Sequence, residues 1–190
     1  MRTMLTLVCA QLPSAMRAGR FPDDEGLDAA QLTDASLNLS GLDWHSAHVI
    51  CSPSLAAQQT ARTMGINDYQ LEPALKEVDY GHWSGLSLKD IEPQLLGAWL
   101  RDPSMSPPNG ESLDMVCRRT RSWFEASQHQ QGMSLVFTHA NVIKALVLSV
   151  LGAPMTAIFT LDIAPLSLTR LTCYPGRWQV QCLGVPLKHQ

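Results

Sequence analysis

The sequence predicts an α/β fold in which helices cover both faces of a mainly parallel sheet. Short, largely apolar runs at Met4–Val8, His48–Cys51 and Ser134–Phe137 alternate with helical segments, a pattern typical of parallel strands joined by helices and buried on both faces. The composition, 45% hydrophobic and 16% charged over 190 residues, suits a globular chain with one core. We therefore expect a three-layer α/β/α sandwich that forms a single domain over residues 1–190.

Local signals place the remaining elements. Ser52-Pro53 precedes a helix at Ser54–Met64 that Gly65 ends, the usual order of proline near a helix start and glycine past its end. Ser112 is the expected N-cap of the next long helix. The other predicted elements are helices at Ser112–Ser127, Asn141–Leu151 and Leu27–Leu42, a strand at Leu71–Glu72, a loop at Leu75–Leu86, and an edge hairpin of Leu166–Cys173 and Trp178–Leu183.

Charge and cysteine usage exclude several classes of protein. The 14 Lys and Arg against 17 Asp and Glu give −3, with no basic run, so we expect neither nucleic acid nor a membrane surface as partner. Five widely spaced cysteines without CxxC argue against a disulfide framework or zinc site and for a cytoplasmic chain. Arg2 and the apolar Met4–Ala10 loosely imitate a signal peptide, although the run is short and equally suits a first strand.

The candidate site lies where the predicted parallel strands end. Ligands of such sheets bind at the carboxyl ends of the strands. Those ends carry Cys9-Ala10-Gln11, Ser52-Pro53 and Thr138-His139. We expect these segments to meet at one edge of the sheet and to line a cleft there.

Five segments in this order resemble motifs of the histidine phosphatase (phosphoglycerate mutase-like) superfamily. They are Gly19-Arg20-Phe21, CSPSLAAQQTA at 51–61, LKEVDYGHWSGL at 75–86, PPNGES at 107–112 and LVFTHANVIKAL at 135–146. The short length and the "GES" and "GxWxG" signatures are similar to the small phosphatases, such as α-ribazole phosphatase. The resemblance implies a phosphoglycerate mutase-like fold and, in active members, transfer of a phosphoryl group to a histidine.

The same resemblance shows where this chain departs from the family. The family's nucleophile is the histidine of Arg-His-Gly, and two arginines and a second histidine bind the phosphate. Here Cys9 and Ala10 stand at the arginine and nucleophile positions, Ala56 stands at the second arginine, and Met16 replaces a phosphate-contacting asparagine. Losing a nucleophile costs about six decades of rate in a well-studied protease, so ordinary phosphohistidine chemistry is not expected.

Two family positions are retained. His139 matches the second histidine and Glu77 matches the acid that protonates the leaving group, so these are the expected catalytic relicts. The expected ligand-binding residues are Cys9, Ala10, Gln11, Arg20, Ser52, Ala56 and His82. The sequence thus predicts a catalytically inactive member of the family that binds a small ligand or a protein partner.

The alternative is a phosphomonoester hydrolase with altered or residual chemistry. It would use His139, Glu77 or a Cys9 thiolate. Arg17 or Arg20 could turn inward and restore positive charge; otherwise the pocket mouth should be neutral or acidic and bind an anionic or phosphorylated ligand only weakly. No cofactor or metal is expected, since the spacing of His82 from the retained pair gives no support for a metal triad.

Overall fold

A computed structural model describes residues 3–33, 39, 44–127, 132–174 and 176–187. Six strands form one sheet in the order β3-β2-β4-β1-β5-β6. Their bounds are β1 Thr3–Cys9, β2 His48–Cys51, β3 Gln70–Leu71, β4 Met133–Thr138, β5 Ser167–Cys173 and β6 Trp178–Pro186. The first four strands are parallel, and β5 and β6 continue the sheet as an antiparallel hairpin. The mainly parallel sheet and the edge hairpin are as predicted.

The helices confirm most of the predicted elements. Their bounds are α1 Ser14–Arg17, α2 Ala29–Leu32, α3 Leu55–Thr63, α4 Pro93–Trp99, α5 Leu113–Ser127 and α6 Ala140–Leu151, and short 3₁₀ helices span Pro73–Leu75, Gly81–Trp83, Leu88–Asp90 and Met155–Thr160. The Ser112 hydroxyl accepts the Met115 N–H at 3.2 Å, so Ser112 caps α5 as expected. No helix in the described ranges has the length and apolarity needed to span a bilayer.

The helix predicted over Leu27–Leu42 is the least accurate element. Within it the structure describes a helix only at Ala29–Leu32, which begins with a capping box between Asp28 and Gln31. Thr33 ends this helix at its C-cap, and positions 34–38 and 40–43 lie outside the described residues. The leucine spacing does not reflect one continuous helix, since Leu27 and Leu39 are both buried but lie on either side of the observed helix.

The sheet separates two cores, which makes the three layers. On one face, Leu7 and Val136 pack with Val142 of α6. On the other face, Val8 and Phe137 pack in a second core with residues of α3. Because neighbouring side chains of a strand point to opposite faces, Cys9 belongs to the first core and Ala10 to the second.

Backbone hydrogen bonds bring three strand ends to one edge. The Ala10 N–H donates to the Thr138 carbonyl at 2.7 Å, and the Ser52 N–H donates to the Phe137 carbonyl at 2.9 Å. The Thr138 hydroxyl donates to the Leu75 carbonyl at 2.8 Å. These bonds fix the ends of β1, β2 and β4 beside the loop that follows β3.

Candidate functional site

A cleft opens at this edge as two adjoining hollows. The first hollow, about 100 Å³, is lined by Pro13, Met16, Pro22, Asp23, Asp24, Glu25, Ser54, Ala56, Lys76, Glu77, Val78, Asp79, Tyr80, Ser84 and His139. The second, about 220 Å³, is lined by Cys9, Ala10, Gln11, Leu12, Pro13, Met16, Glu77, His139, Ala140, Asn141, Asp162, Ile163 and Pro165. Both hollows include His139 and Glu77, which therefore stand at the centre of the cleft.

His139 is held by partners on both ring nitrogens. It lies between β4 and α6 as the N-cap of that helix. Its Nε2 is 3.0 Å from the Ser52 Oγ, and its Nδ1 is 3.5 Å from Glu77 Oε2. The Ser52 Oγ also accepts the Ser54 N–H at 3.2 Å. We assign the ring proton to Nδ1, facing the carboxylate, so that the serine hydroxyl donates to Nε2.

Burial sets the charge of this imidazole. Removal from water lowers the pKa of His139 below its ordinary value, and Arg119 adds to the lowering, whereas the Glu77 carboxylate and Asp24 oppose it. Burial is the largest of these effects. His139 is therefore a neutral group at pH 7 that offers no positive charge to a phosphate.

Ser52, His139 and Glu77 have the order of a nucleophile, a base and a group that orients the base. Ser52 is 0% exposed and lines neither hollow, so no substrate carbonyl or phosphorus can reach its hydroxyl. Its role in this geometry is to orient the imidazole. The sequence placed Ser52 among ligand-binding residues; the structure places it one layer beneath the cleft surface.

The Glu77 carboxylate also stabilises its own loop. Its Oε1 accepts the Val78 N–H at 2.9 Å. Arg119 binds the carbonyls of Ala74 and Lys76 at 2.6 and 2.8 Å, and its Nε and Nη2 donate to the two carboxylate oxygens of Glu111. Arg119 on α5 thus fixes the loop from which the Glu77 side chain reaches His139.

None of the histidines that the structure describes lies at the β1 end of the cleft. Ala10, which the sequence resemblance places at the nucleophile position, lies beside Thr138 and is 3% exposed. Among the described histidines, His139 alone lines the cleft. His45 and His48 line a groove at the opposite end of β2. The neighbouring Gln11 lines the second hollow, where its side-chain oxygen is enclosed without a hydrogen-bond partner.

The Cys9 thiol lines the second hollow but is poorly suited to attack. Burial, with a smaller contribution from Glu77, raises the pKa of Cys9 to about 12. The thiol is therefore protonated at neutral pH, and the protonated form is a weak nucleophile.

Three residues expected near the cleft lie elsewhere. His82 was expected to face it, but this exposed side chain accepts a hydrogen bond from Asn109 Nδ2 at 2.8 Å and lines neither hollow. Arg20 is exposed, and its backbone forms a bridge to Ser87 away from both hollows. Arg17 pairs with Asp28 at 2.7 Å. Neither arginine lines the cleft, so neither supplies positive charge to its lining.

Ala56 lines the first hollow, as the sequence predicted. No cluster of three or more metal-binding side chains occurs within the described part of the chain. His82 is thus separated from His139 and Glu77, and these three do not form a metal triad.

The first hollow is acidic, within the neutral-or-acidic range expected of the pocket mouth, but most of the residues that make it so were not predicted from the sequence. Its charged residues are Asp23, Asp24, Glu25, Lys76, Glu77 and Asp79, which are five carboxylates and one ammonium. The run Asp23-Asp24-Glu25 is visible in the sequence, but nothing local shows that it folds over α3. Asp24 accepts the Leu55 N–H at 3.0 Å, which brings this run to the start of that helix.

The cleft, the fold and the retained His139 and Glu77 agree with a match to known proteins. Residues 23–186 match the model of the histidine phosphatase superfamily, branch 1. The chain belongs to this superfamily. The matched range begins after Cys9-Ala10-Gln11, the segment expected to stand at the position of the family's Arg-His-Gly.

Relatives of known sequence or structure cover much of the chain. It is 34% identical over 132 residues to a bifunctional protein of Mycobacterium tuberculosis (strain H37Rv), covering 64% of this chain but only 36% of that protein, so it spans about a third of that relative. It is 27% identical over 155 residues to a 2,3-bisphosphoglycerate-dependent phosphoglycerate mutase of Parvibaculum lavamentivorans, covering 74% and 73% of the two chains. Its fold matches an Escherichia coli K-12 protein proposed to be an alpha-ribazole-5′-P phosphatase, with a TM-score of 0.79, 22% identity and coverage of 97% and 98%.

Proposed function

We propose that this chain is a catalytically inactive histidine phosphatase-like protein that uses its cleft to bind a small ligand. The observation that carries the proposal is that Ala10 and His139 line the same hollow at the strand ends. A methyl group stands where active members have the phosphoryl-accepting imidazole, and no other described histidine lines the cleft. The start of the family match at residue 23 supports the same interpretation.

The remaining groups cannot compensate for this loss. A nucleophile removed from a covalent mechanism costs about six decades of rate in the best-measured case. Each lost arginine removes charge-assisted bonds worth about 1.5–3 kcal/mol. The side chains at those positions, Cys9 and Ala56, carry no charge, and His139 is neutral at pH 7. Because phosphoryl transfer depends mainly on positioning and charge stabilisation, these losses compound.

The shape of the cleft favours a small ligand over a protein partner. Two hollows that share His139 and Glu77 form a concave site at the carboxyl edge of a parallel sheet, the usual position of small-molecule sites in this architecture. The acidic lining makes a phosphate ester a weak ligand at best, since the lysine at position 76 is the one cation that lines it among the described residues.

Residual hydrolysis is the competing function, and the site geometry disfavours each of its candidate nucleophiles. The Cys9 thiol is protonated. The Ser52 hydroxyl is fully buried. Only a water placed by His139 and Glu77 would remain, with Lys76 as the one cation among the described lining residues to stabilise the charge on the phosphoryl oxygens.

Turnover of para-nitrophenyl phosphate tests the proposal. The wild-type protein should release nitrophenol at the rate of buffer, and the His139→Ala variant should show the same rate. His82→Ala is the matched control, because it removes an imidazole that lies outside the cleft. Hydrolysis that disappears in His139→Ala and persists in His82→Ala would contradict the proposal and establish the residual hydrolase.

A further inference from the structure

We propose that Gln11 selects the ligand of the second hollow by accepting a hydrogen bond from a hydroxyl group of a small, uncharged polyol. The ligand would donate to the side-chain oxygen of Gln11, and binding would need no phosphate group. This inference rests on the proposed function and deepens it, because it names the ligand class and the residue that recognises it.

The main chain of Gln11 is held in place just after β1. Its N–H donates to the Thr60 hydroxyl of α3 at 3.1 Å, and that hydroxyl donates to the Ala56 carbonyl at 2.7 Å. The preceding residue is bonded to β4, through the Ala10 N–H and the Thr138 carbonyl. The side chain of Gln11 therefore starts from a fixed point beside the hollow.

The side-chain amide of Gln11 has hydrogen-bonding capacity that the protein does not use. Its oxygen is enclosed and has no partner among the described residues, although Gln11 lines the second hollow. A buried acceptor without a donor costs free energy, so a ligand that supplies the donor removes this cost. Because the oxygen makes no hydrogen bond within the described part of the protein, turning it toward a ligand breaks none.

The charges around the second hollow disfavour an anionic ligand. Glu77 and Asp162 line it, and no lysine or arginine does so among the described residues. Both carboxylates act within the hollow, since they add to burial, the largest cause, in raising the pKa of the Cys9 thiol, whereas Lys144 opposes them from outside the lining. A carboxylate accepts hydrogen bonds and does not donate them. The lining therefore complements a ligand that brings donors.

An uncharged donor fits this lining better than an ammonium group. The Glu77 carboxylate already accepts the Val78 N–H and lies 3.5 Å from the His139 ring, and Asp162 is exposed to water. The acceptor that lacks a partner is the neutral amide of Gln11. At about 220 Å³ the hollow is smaller than the usual site for a drug-sized molecule, so we expect a compact polyol.

Binding of glycerol, xylitol and myo-inositol, measured by calorimetry and ligand-observed NMR, tests the proposal. Wild-type protein should bind at least one of them saturably, and should bind myo-inositol 1-phosphate and 1,3-diaminopropane more weakly than that polyol. Gln11→Met keeps the length of the side chain and removes the acceptor, so polyol affinity should fall at least about tenfold, the effect of one hydrogen bond of ordinary strength. Gln11→Glu keeps an acceptor and should retain more affinity than Gln11→Met.

The matched control is Gln179→Met, which makes the same change at an exposed glutamine of β6. It should bind the polyol as the wild type does. Loss of affinity in Gln11→Met, with partial recovery in Gln11→Glu and an unchanged urea midpoint, supports recognition by Gln11, since a purely structural role would alter the midpoint instead.

Three results would overturn the proposal. They are no saturable binding of any of the three polyols to wild type, tighter binding of the phosphate ester or the diamine, and wild-type affinity in Gln11→Met. Gln11→Ala, read by the same criteria, replaces Gln11→Met if that variant unfolds. Hydrolysis of para-nitrophenyl phosphate by the wild type would instead defeat the proposed function, and polyol binding is measured independently of turnover.

Discussion

The two sides of the cleft differ in how their residues are held. On the β4 side, Ser52 is hydrogen-bonded to the buried His139, whose Nδ1 lies 3.5 Å from Glu77 Oε2, so the three form a chain of contacts. On the β1 side, Cys9 and Ala10 fill space in the two cores and expose almost no surface. The β4 groups contact one another within the protein, whereas the β1 residues contribute only apolar packing.

This difference has a physical reason. A buried imidazole or serine hydroxyl that loses its partner costs the full desolvation of that group, so the β4 chain contributes to folding whether or not a ligand binds. A histidine in place of Ala10 and an arginine in place of Cys9 would put polar or charged groups into the two cores, where burial without a partner is costly. The comparison predicts that changes on the β1 side alter chemistry and that changes on the β4 side alter stability.

Restoring the β1 side should have the largest effect. The variant Cys9→Arg, Ala10→His, Gln11→Gly and Ala56→Arg should hydrolyse para-nitrophenyl phosphate at least about a hundredfold faster than wild type, a part of the six decades that a nucleophile supplies. The same variant with Ala10 retained is the control, and it should remain inactive. Equal rates with and without the new histidine would show that position 10 does not face the reacting phosphoryl group.

Removing one member of the β4 chain should destabilise the fold. In Ser52→Ala, Nε2 of the buried His139 and the Ser54 N–H lose their partner, so the free energy of unfolding in urea should fall by about 1–3 kcal/mol. Ser54→Ala is the control, because that hydroxyl accepts only the Glu77 N–H at 3.5 Å, and it should cost less. A Ser52→Ala variant as stable as the wild type would contradict the structural role assigned to Ser52, His139 and Glu77.

The stability should also depend on pH through His139. Because the folded-state pKa of this residue lies below its ordinary value of 6.5, the unfolded chain binds the proton first as the pH falls. The contribution of neutral His139 is thus complete above pH 6.5 and is lost as the pH decreases from there toward the folded-state pKa. Urea midpoints measured from pH 7.5 to 5 should fall less in His139→Gln than in wild type; parallel curves would contradict this assignment.

The smallest expected effect concerns the thiols. With a pKa raised to about 12, Cys9 should react with iodoacetamide at pH 7.5 more slowly than the partly exposed Cys117, Cys173 and Cys182. Peptide mass spectrometry of the native protein gives the order of labelling. Rapid labelling of Cys9 would contradict this expectation and support Cys9 as the nucleophile of a residual hydrolase.

Much of the fold could be predicted because its signals are local. Buried strands appear as apolar runs, and the start of α5 follows from a capping serine, so Ser112 and His48–Cys51 were placed correctly. Helix α4 was not predicted, since it has no fully buried residue to give a clear periodic pattern. The helix predicted from Leu27 was too long, since the helix ends at Thr33 and the buried Leu39 beyond it is not helical.

Sequence signals located site residues that follow the strand ends. They did not locate those on loops that cross the cleft. His139, Glu77 and Ala56 line the cleft as expected. His82 does not, because the 3₁₀ turn at Gly81–Trp83 points it toward Asn109. Asp24 could not be recognised, since its partner at Leu55 is distant in sequence and its positive φ is not encoded by a glycine.

The central claim is that this protein forms no phosphohistidine. Wild-type protein incubated with para-nitrophenyl phosphate and quenched at alkaline pH, where phosphohistidine survives, can be weighed intact by mass spectrometry beside the restored variant. We expect the mass of one phosphoryl group on the restored variant and none on the wild type. A phosphorylated histidine in the wild-type protein would contradict the account.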